Sequence, residues 1–181
     1  MQATRSGCLL VHGRPTMRWV SVQPVSHAGV PIALSGPQMA AWRAFLRAHA
    51  LVVRRLEADL VAEHQLPLAS YDVLVQLVEA PDQRLRMTDL AQRVLLSRSG
   101  LTRLVDRLET DGLVRREACA SDARGLFAVL TTAGRDRLRA ATQTHLRGVA
   151  QYAVGRIDDD QLDGFRALLD RMLLDEEPDQ P

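Results

Sequence analysis

Trp42, Phe45, His49, Val53, Leu56 and Leu60 step by three or four residues, and this spacing predicts one long helix with a single apolar stripe. A helix of about six turns, placed first in a fold, needs a partner surface along its whole length. Aromatic residues make up only 4% of the 181, so the core must be built mainly from Leu, Val and Ala. Packed helices use such residues more readily than a sandwich of strands does. With 46% apolar residues the chain can fill the core of one ordinary domain. The expected fold class is therefore mainly α.

Residues 1–36 are rich in Gly, Pro, Ser and Val without periodicity and read as a flexible arm. The first helix begins at Pro37 and is ended by Leu66-Pro67; a second carries Tyr71, Leu74, Leu77 and Val78 before Pro81. Leu85-Arg86-Met87 suggests a very short strand, and Thr88 a helix N-cap. Ser97 caps a fourth helix with Leu101, Leu104, Val105 and Leu108 on its buried face, stopped at Gly112. Val114–Ala118 and Leu126–Leu130 pair as a hairpin. Thr131 caps a fifth helix, with Leu138, His145, Val149 and Tyr152 on one side. Asp158 and Gln161 suggest a capping box for a last helix carrying Leu162, Phe165, Leu168, Leu169, Met172 and Leu173.

Two short helices followed by a hairpin are the parts of a winged helix, in which the second helix enters the major groove of DNA. The fold class sharpens to mainly α with a small β-wing: a winged helix-turn-helix lobe over 67–131, and a helical dimerisation region over 37–66 and 132–174. An acidic tail occupies 175–181. Away from its apolar face the fourth helix presents Arg98, Ser99, Thr102, Arg103 and Arg107, side chains that reach phosphates and base edges. Ser97 and Ser99 also set free backbone N–H groups toward a phosphate. The net charge of +1 settles nothing, but its distribution informs. Residues 1–36 hold three Arg and no acid, and Asp158 to Pro181 hold nine acids, so a basic DNA face has to be made in the middle. All 23 basic residues are Arg, a bias that codon usage alone can produce.

The run Leu96-Ser97-Arg98-Ser99-Gly100-Leu101-Thr102-Arg103-Leu104-Val105-Asp106-Arg107-Leu108-Glu109, continuing into Gly112-Leu113-Val114-Arg115-Arg116, resembles the recognition helix of the MarR family of bacterial regulators. The following Ser121-Asp122-Ala123-Arg124-Gly125, then Leu130-Thr131 and Gly134, is similar to that family's wing signature. The resemblance extends over about residues 37 to 174. It implies that Arg124 enters the minor groove while Asp122 holds its guanidinium. Physically, an Arg suits a narrow A·T-rich minor groove, and a carboxylate fixes the fork beforehand. The resemblance further implies a small aromatic or phenolic effector in a crevice beside the dimer helices. By position Trp42, His49, Tyr71 and His145 line such a space, or else belong to ordinary core packing. Some members of the family bind zinc; Glu63-His64 and His145 are a partial match, without a histidine pair at i, i+4. Redox-sensing members place a reactive cysteine near the start of helix one, whereas Cys8 falls in the arm and Cys119 in the wing.

These readings describe a cytoplasmic regulator, most simply a repressor, with double-stranded DNA and a second copy of itself as partners. No run of about 18 apolar residues is present, so no membrane span is expected. There is no Gly-rich phosphate loop, nucleophile elbow or metal-binding helix pair, and no cofactor is expected. The competing reading is a winged-helix protein-interaction module without DNA binding. Such a module would favour apolar anchors over four arginines on its working face.

Overall fold

The computed structural model describes residues 33–119 and 122–173, and for residues 119 and 122–124 the backbone alone. The expected arm up to residue 32, the acidic tail over 175–181 and Cys8 therefore lie outside the described residues. The chain divides into two units, Met1–Ala41 and Trp42–Pro181.

In the first unit, helix α1 (Gly36–His64) opens one residue earlier than the Pro37 start predicted from sequence. The reason is a capping box: Gln38 N–H donates to Ser35 Oγ at 3.3 Å, and Ser35 N–H donates to Gln38 Oε1 at 2.8 Å. The remainder of α1 belongs to the second unit and ends as expected before Pro67. Gln65 adopts a left-handed φ of 51°, and the N–H groups of Gln65 and Leu66 turn back onto the last turn of α1.

Helix α2 (Leu68–Glu79) has no cap of its own from Pro67; its first N–H donates to Glu57 Oε2 of α1 at 2.5 Å. Strand β1 (Arg84–Arg86) runs directly into α3 (Met87–Arg93). Arg86 thereby becomes the residue before the helix. Thr88 lies inside it, its hydroxyl donating to Asp89 instead, which corrects the expected Thr88 cap. Helix α4 (Arg98–Thr110) is capped by Ser97, whose Oγ accepts from Gly100 N–H at 3.1 Å. Gly112 ends the segment at φ 71°, a left-handed turn that suits glycine.

Strands β2 (Val114–Cys119) and β3 (Asp122–Leu130) reach nearer the wing tip than their apolar residues indicated. The sheet is antiparallel with order β1-β3-β2, and pairs Arg86 with Phe127 and Glu117 with Phe127. Thr131 caps α5 (Thr132–Tyr152), accepting from Gly134 N–H at 2.9 Å. Asp158 precedes α6 (Asp159–Met172), but its side chain makes no capping bond, so the expected box with Gln161 is not formed.

The core is one cluster of Leu and Val: Leu60 from α1, Leu74 and Leu77 from α2, Leu90 from α3, Leu101, Val105 and Leu108 from α4, and Val114 from β2 are all but inaccessible. It presses the apolar face of α4 inward and leaves its polar face outward. Two further joints hold α5. Gly148 lets Leu56 of α1 approach closely. One turn along the same face, the Tyr152 hydroxyl donates to Asp59 of α1 at 2.8 Å.

Candidate nucleic-acid interface

All four residues expected on the inner face of α4 (Leu101, Leu104, Val105 and Leu108) are buried. Ser97, Arg98, Ser99, Thr102, Arg103 and Arg107 are all exposed, as the periodicity of the helix requires. The Thr102 hydroxyl donates back to the Arg98 carbonyl at 2.8 Å, and Ser97 and Ser99 Oγ lie 3.3 Å apart. Among the described residues, Arg98, Arg103 and Arg107 take part in no ion pair. Their guanidinium groups keep all their donors for an outside acceptor.

The wing stands beside this face. Backbone at Asp122 and Arg124 is part of β3, but both side chains lie outside the described residues, as does that of Cys119. Sequence reasoning overlooked the link between wing and helix. Arg116 of β2 forms ion pairs with Asp106 at 2.7 Å and Glu109 at 2.6 Å, and donates to the Thr102 carbonyl at 3.3 Å. Its backbone N–H donates to Glu109 Oε1 at 3.0 Å. The spacing 102, 106, 109 marks one face of a helix and was readable. What faced it was not, because the partner arrives from seven to fourteen residues further on. Arg115, by contrast, is paired with Glu117 on its own strand.

The four residues expected around an effector fall into two groups. Tyr71 and His145 stack with ring centroids 4.4 Å apart and planes 25° from parallel, joining α2 to α5. Trp42, Phe45 and His49 form a stacked ladder along α1, with successive centroids 6.0 and 6.3 Å apart. Burial raises the Tyr71 phenol above its ordinary range and lowers the His145 imidazole below its own. His145 Nδ1 is buried and has no hydrogen-bond partner among the described residues.

Glu63, His64 and His145 do not converge. Thr144 donates to Glu63 at 2.7 Å and lies 2.9 Å from His64 Nε2, while Arg147 binds the second Glu63 oxygen at 2.6 Å. The Thr144 and Arg147 hydrogen bonds hold the Glu63 carboxyl below its usual range. Among the described residues no three of His, Cys, Asp and Glu are grouped as metal ligands. Among them, too, no helix is long and apolar enough to cross a membrane.

A buried-faced short helix, an exposed Arg/Ser/Thr helix and an antiparallel hairpin define a winged helix-turn-helix. Comparison with known proteins agrees. Residues 64–125 match the model of the MarR family. The chain is similar to Sco3205, a MarR family transcriptional regulator from Streptomyces coelicolor solved in complex with DNA: 34% identity, 83% of this chain and 95% of that one, TM-score 0.77. It is also similar to AbsC, a MarR family transcriptional regulator from the same organism, at 35% identity over 77% and 94% of the two chains, TM-score 0.73. The transcriptional repressor YetL of Bacillus subtilis (strain 168) is 31% identical over 99 residues, 55% of this chain and 59% of that protein. The chain spans less than two thirds of the length of the curated relatives it matches. The chain belongs to the MarR family, a family of transcription regulators rather than of enzymes.

Proposed function

We propose that this protein is a cytoplasmic transcriptional repressor that binds a near-palindromic DNA duplex as a homodimer and releases it when a small aromatic effector binds. The observation that carries this reading is the outer face of α4. Three exposed arginines that form no ion pair among the described residues stand beside exposed Ser and Thr hydroxyls, on a helix whose other face is fully buried. Ser97, Arg98, Ser99 and Thr102 meet the backbone and base edges at the start of the helix, and Arg103 and Arg107 continue along the groove. Asp122 and Arg124 carry the wing contact in the minor groove. Residues 67–131 form the DNA-binding lobe; 37–66 and 132–174 form the dimerisation region.

A structure of Sco3205 with DNA is known, which supports the same use of this lobe. The aromatic effector is placed against the stacked Tyr71 and His145, at the joint between the lobe and α5. A gel shift of the full chain on its own upstream region, against random duplex and with a phenolic acid added, tests the reading. A shift confined to the upstream duplex and reversed by the acid is expected. Equal binding to both duplexes, or none, would sink it.

A further inference from the structure

A groove of about 420 Å3 separates α4 from the wing, and Thr102, Asp106, Arg116 and Gly125 are among the residues that line it. Arg116 bridges its two walls. From β2 its guanidinium touches positions 102, 106 and 109 of α4, two turns of one helical face, while its backbone N–H adds a fourth bond. A planar fork held at two carboxylates and a carbonyl fixes both the sliding and the rotation of the helix against the strand. Asp106 and Glu109 sit on a helix meant for a polyanion, where their charge repels phosphate. Their side chains are 54% and 39% exposed, so the core does not require them, whereas that of Arg116 is only 21% exposed. Exposed ion pairs add little stability, and the acids are better explained as anchors for Arg116 than as a source of it.

We infer that Arg116 is a positioning residue that locks the recognition helix to the wing, so that major-groove and minor-groove reading share one register. This rests on the DNA-binding reading above. Without the lock, each element keeps its own contacts but the wing no longer lands at a fixed distance from the helix.

The test uses the full chain and duplexes selected in vitro by the wild-type protein, with fluorescence anisotropy on variants whose folding is checked by thermal melts. Base changes in the half-site core report the helix, and changes at the flanks report the wing. In Arg116→Met the flank preference should fall by about fivefold or more, on the scale of one mismatched pair, while the core preference stays within about twofold. The pair Asp106→Asn, Glu109→Gln keeps the shape of both side chains and should lose the same flank preference. It should also bind random duplex as tightly as wild type or more so, since two negative charges are gone. If Arg116→Met fails to fold, the isosteric pair decides alone. Flank preference at the wild-type level in a folded variant overturns the inference, as does an equal fall at core and flank. A wild-type chain with no preference for any duplex would overturn the regulator reading, and this inference with it.

Discussion

At the scale of single residues, two backbone positions set limits that side-chain chemistry does not reveal. Leu95, in the turn between α3 and α4, has φ 54° and is 81% exposed. A leucine there carries left-handed strain without a compensating burial. Leu95→Gly is expected to stabilise the protein by about 0.5–1 kcal/mol, the relief of strain outweighing the added freedom of the unfolded chain. Calorimetry showing a lower Tm would contradict this. Gly134 poses the opposite case. It stands out in the sequence only as part of a motif with Thr131, but the structure supplies the reason. A Cβ there would press into the backbone carbonyl of Leu113, which also accepts from the Thr131 hydroxyl at 3.0 Å. Backbone cannot step aside, so Gly134→Ala should cost about 2–3 kcal/mol, in the upper range of overpacking. At Gly148 the obstacle is the tip of the Leu56 side chain, which can rotate, so Gly148→Ala should cost less. Denaturant melts of the two variants settle the order.

At the scale of elements, the apolar period was the reliable guide, and the ends of helices were not. Ser35-x-x-Gln38 and Asp158-x-x-Gln161 share one capping pattern, and only the first closes. Thr88 was a plausible cap until β1 carried the chain straight into α3. Periodicity depends on a whole face meeting the core, whereas a cap depends on one rotamer and on where the preceding residue comes from. The working face of α4 was legible for the first reason. The Arg116 bracket was not, because a strand residue reaching back onto the preceding helix leaves no period in the sequence. Two predictions belong here. Arg103→Ala should lose more discrimination between operator and random duplex than Arg115→Ala, because Arg103 forms no ion pair among the described residues and Arg115 is held by Glu117. Equal losses on both duplexes would end the base-reading role of α4. The second concerns the α2–α5 joint. Burial lowers the His145 pKa from its ordinary 6.5, so the unfolded chain binds its proton first. Stability should therefore fall as pH drops below about 6.5. His145→Phe keeps the stacking on Tyr71 and should flatten that part of the profile; the loss below pH 4.5 linked to Glu63 remains, opposed by Asp72, whose carboxyl burial raises and which therefore adds stability as it takes up its proton. An unchanged slope near pH 6 would show that His145 is not the titrating group.

At the scale of the whole molecule, the described residues leave a large apolar surface exposed on α1 and α6. Leu168 is 60% exposed and Met172 57%, and Phe165 and Leu173 on the same terminal segment are also exposed. In α1, Trp42, Phe45 and Val53 are exposed, whereas Leu56 and Leu60 further along the same stripe are buried. Among the described residues, the stripe that predicted the first helix thus finds a partner along only part of its length. Patches of this kind mark an interface. The simplest cover is the same elements of a second copy, an isologous two-fold contact. Two α4 helices would then face one side of a duplex, with half-site centres about 10 base pairs apart. That spacing is a mechanical constraint. If the proposed effector binds beside the α2–α5 joint, it would release DNA by rotating one lobe only to the extent that it binds the rotated state more tightly. Two charges placed in the α6 face attack the interface without touching the lobe's core. Leu168→Arg with Met172→Arg is therefore expected to give monomers whose melting of the winged lobe is retained and whose affinity for a full operator collapses. On a half-site duplex the monomer should bind about as the dimer does, since each lobe keeps its own contacts. Sedimentation velocity reports the first outcome and anisotropy the second. A double variant that stays dimeric, or a clean monomer that binds the full operator as tightly as the wild type, would break the link between the α6 interface and operator binding.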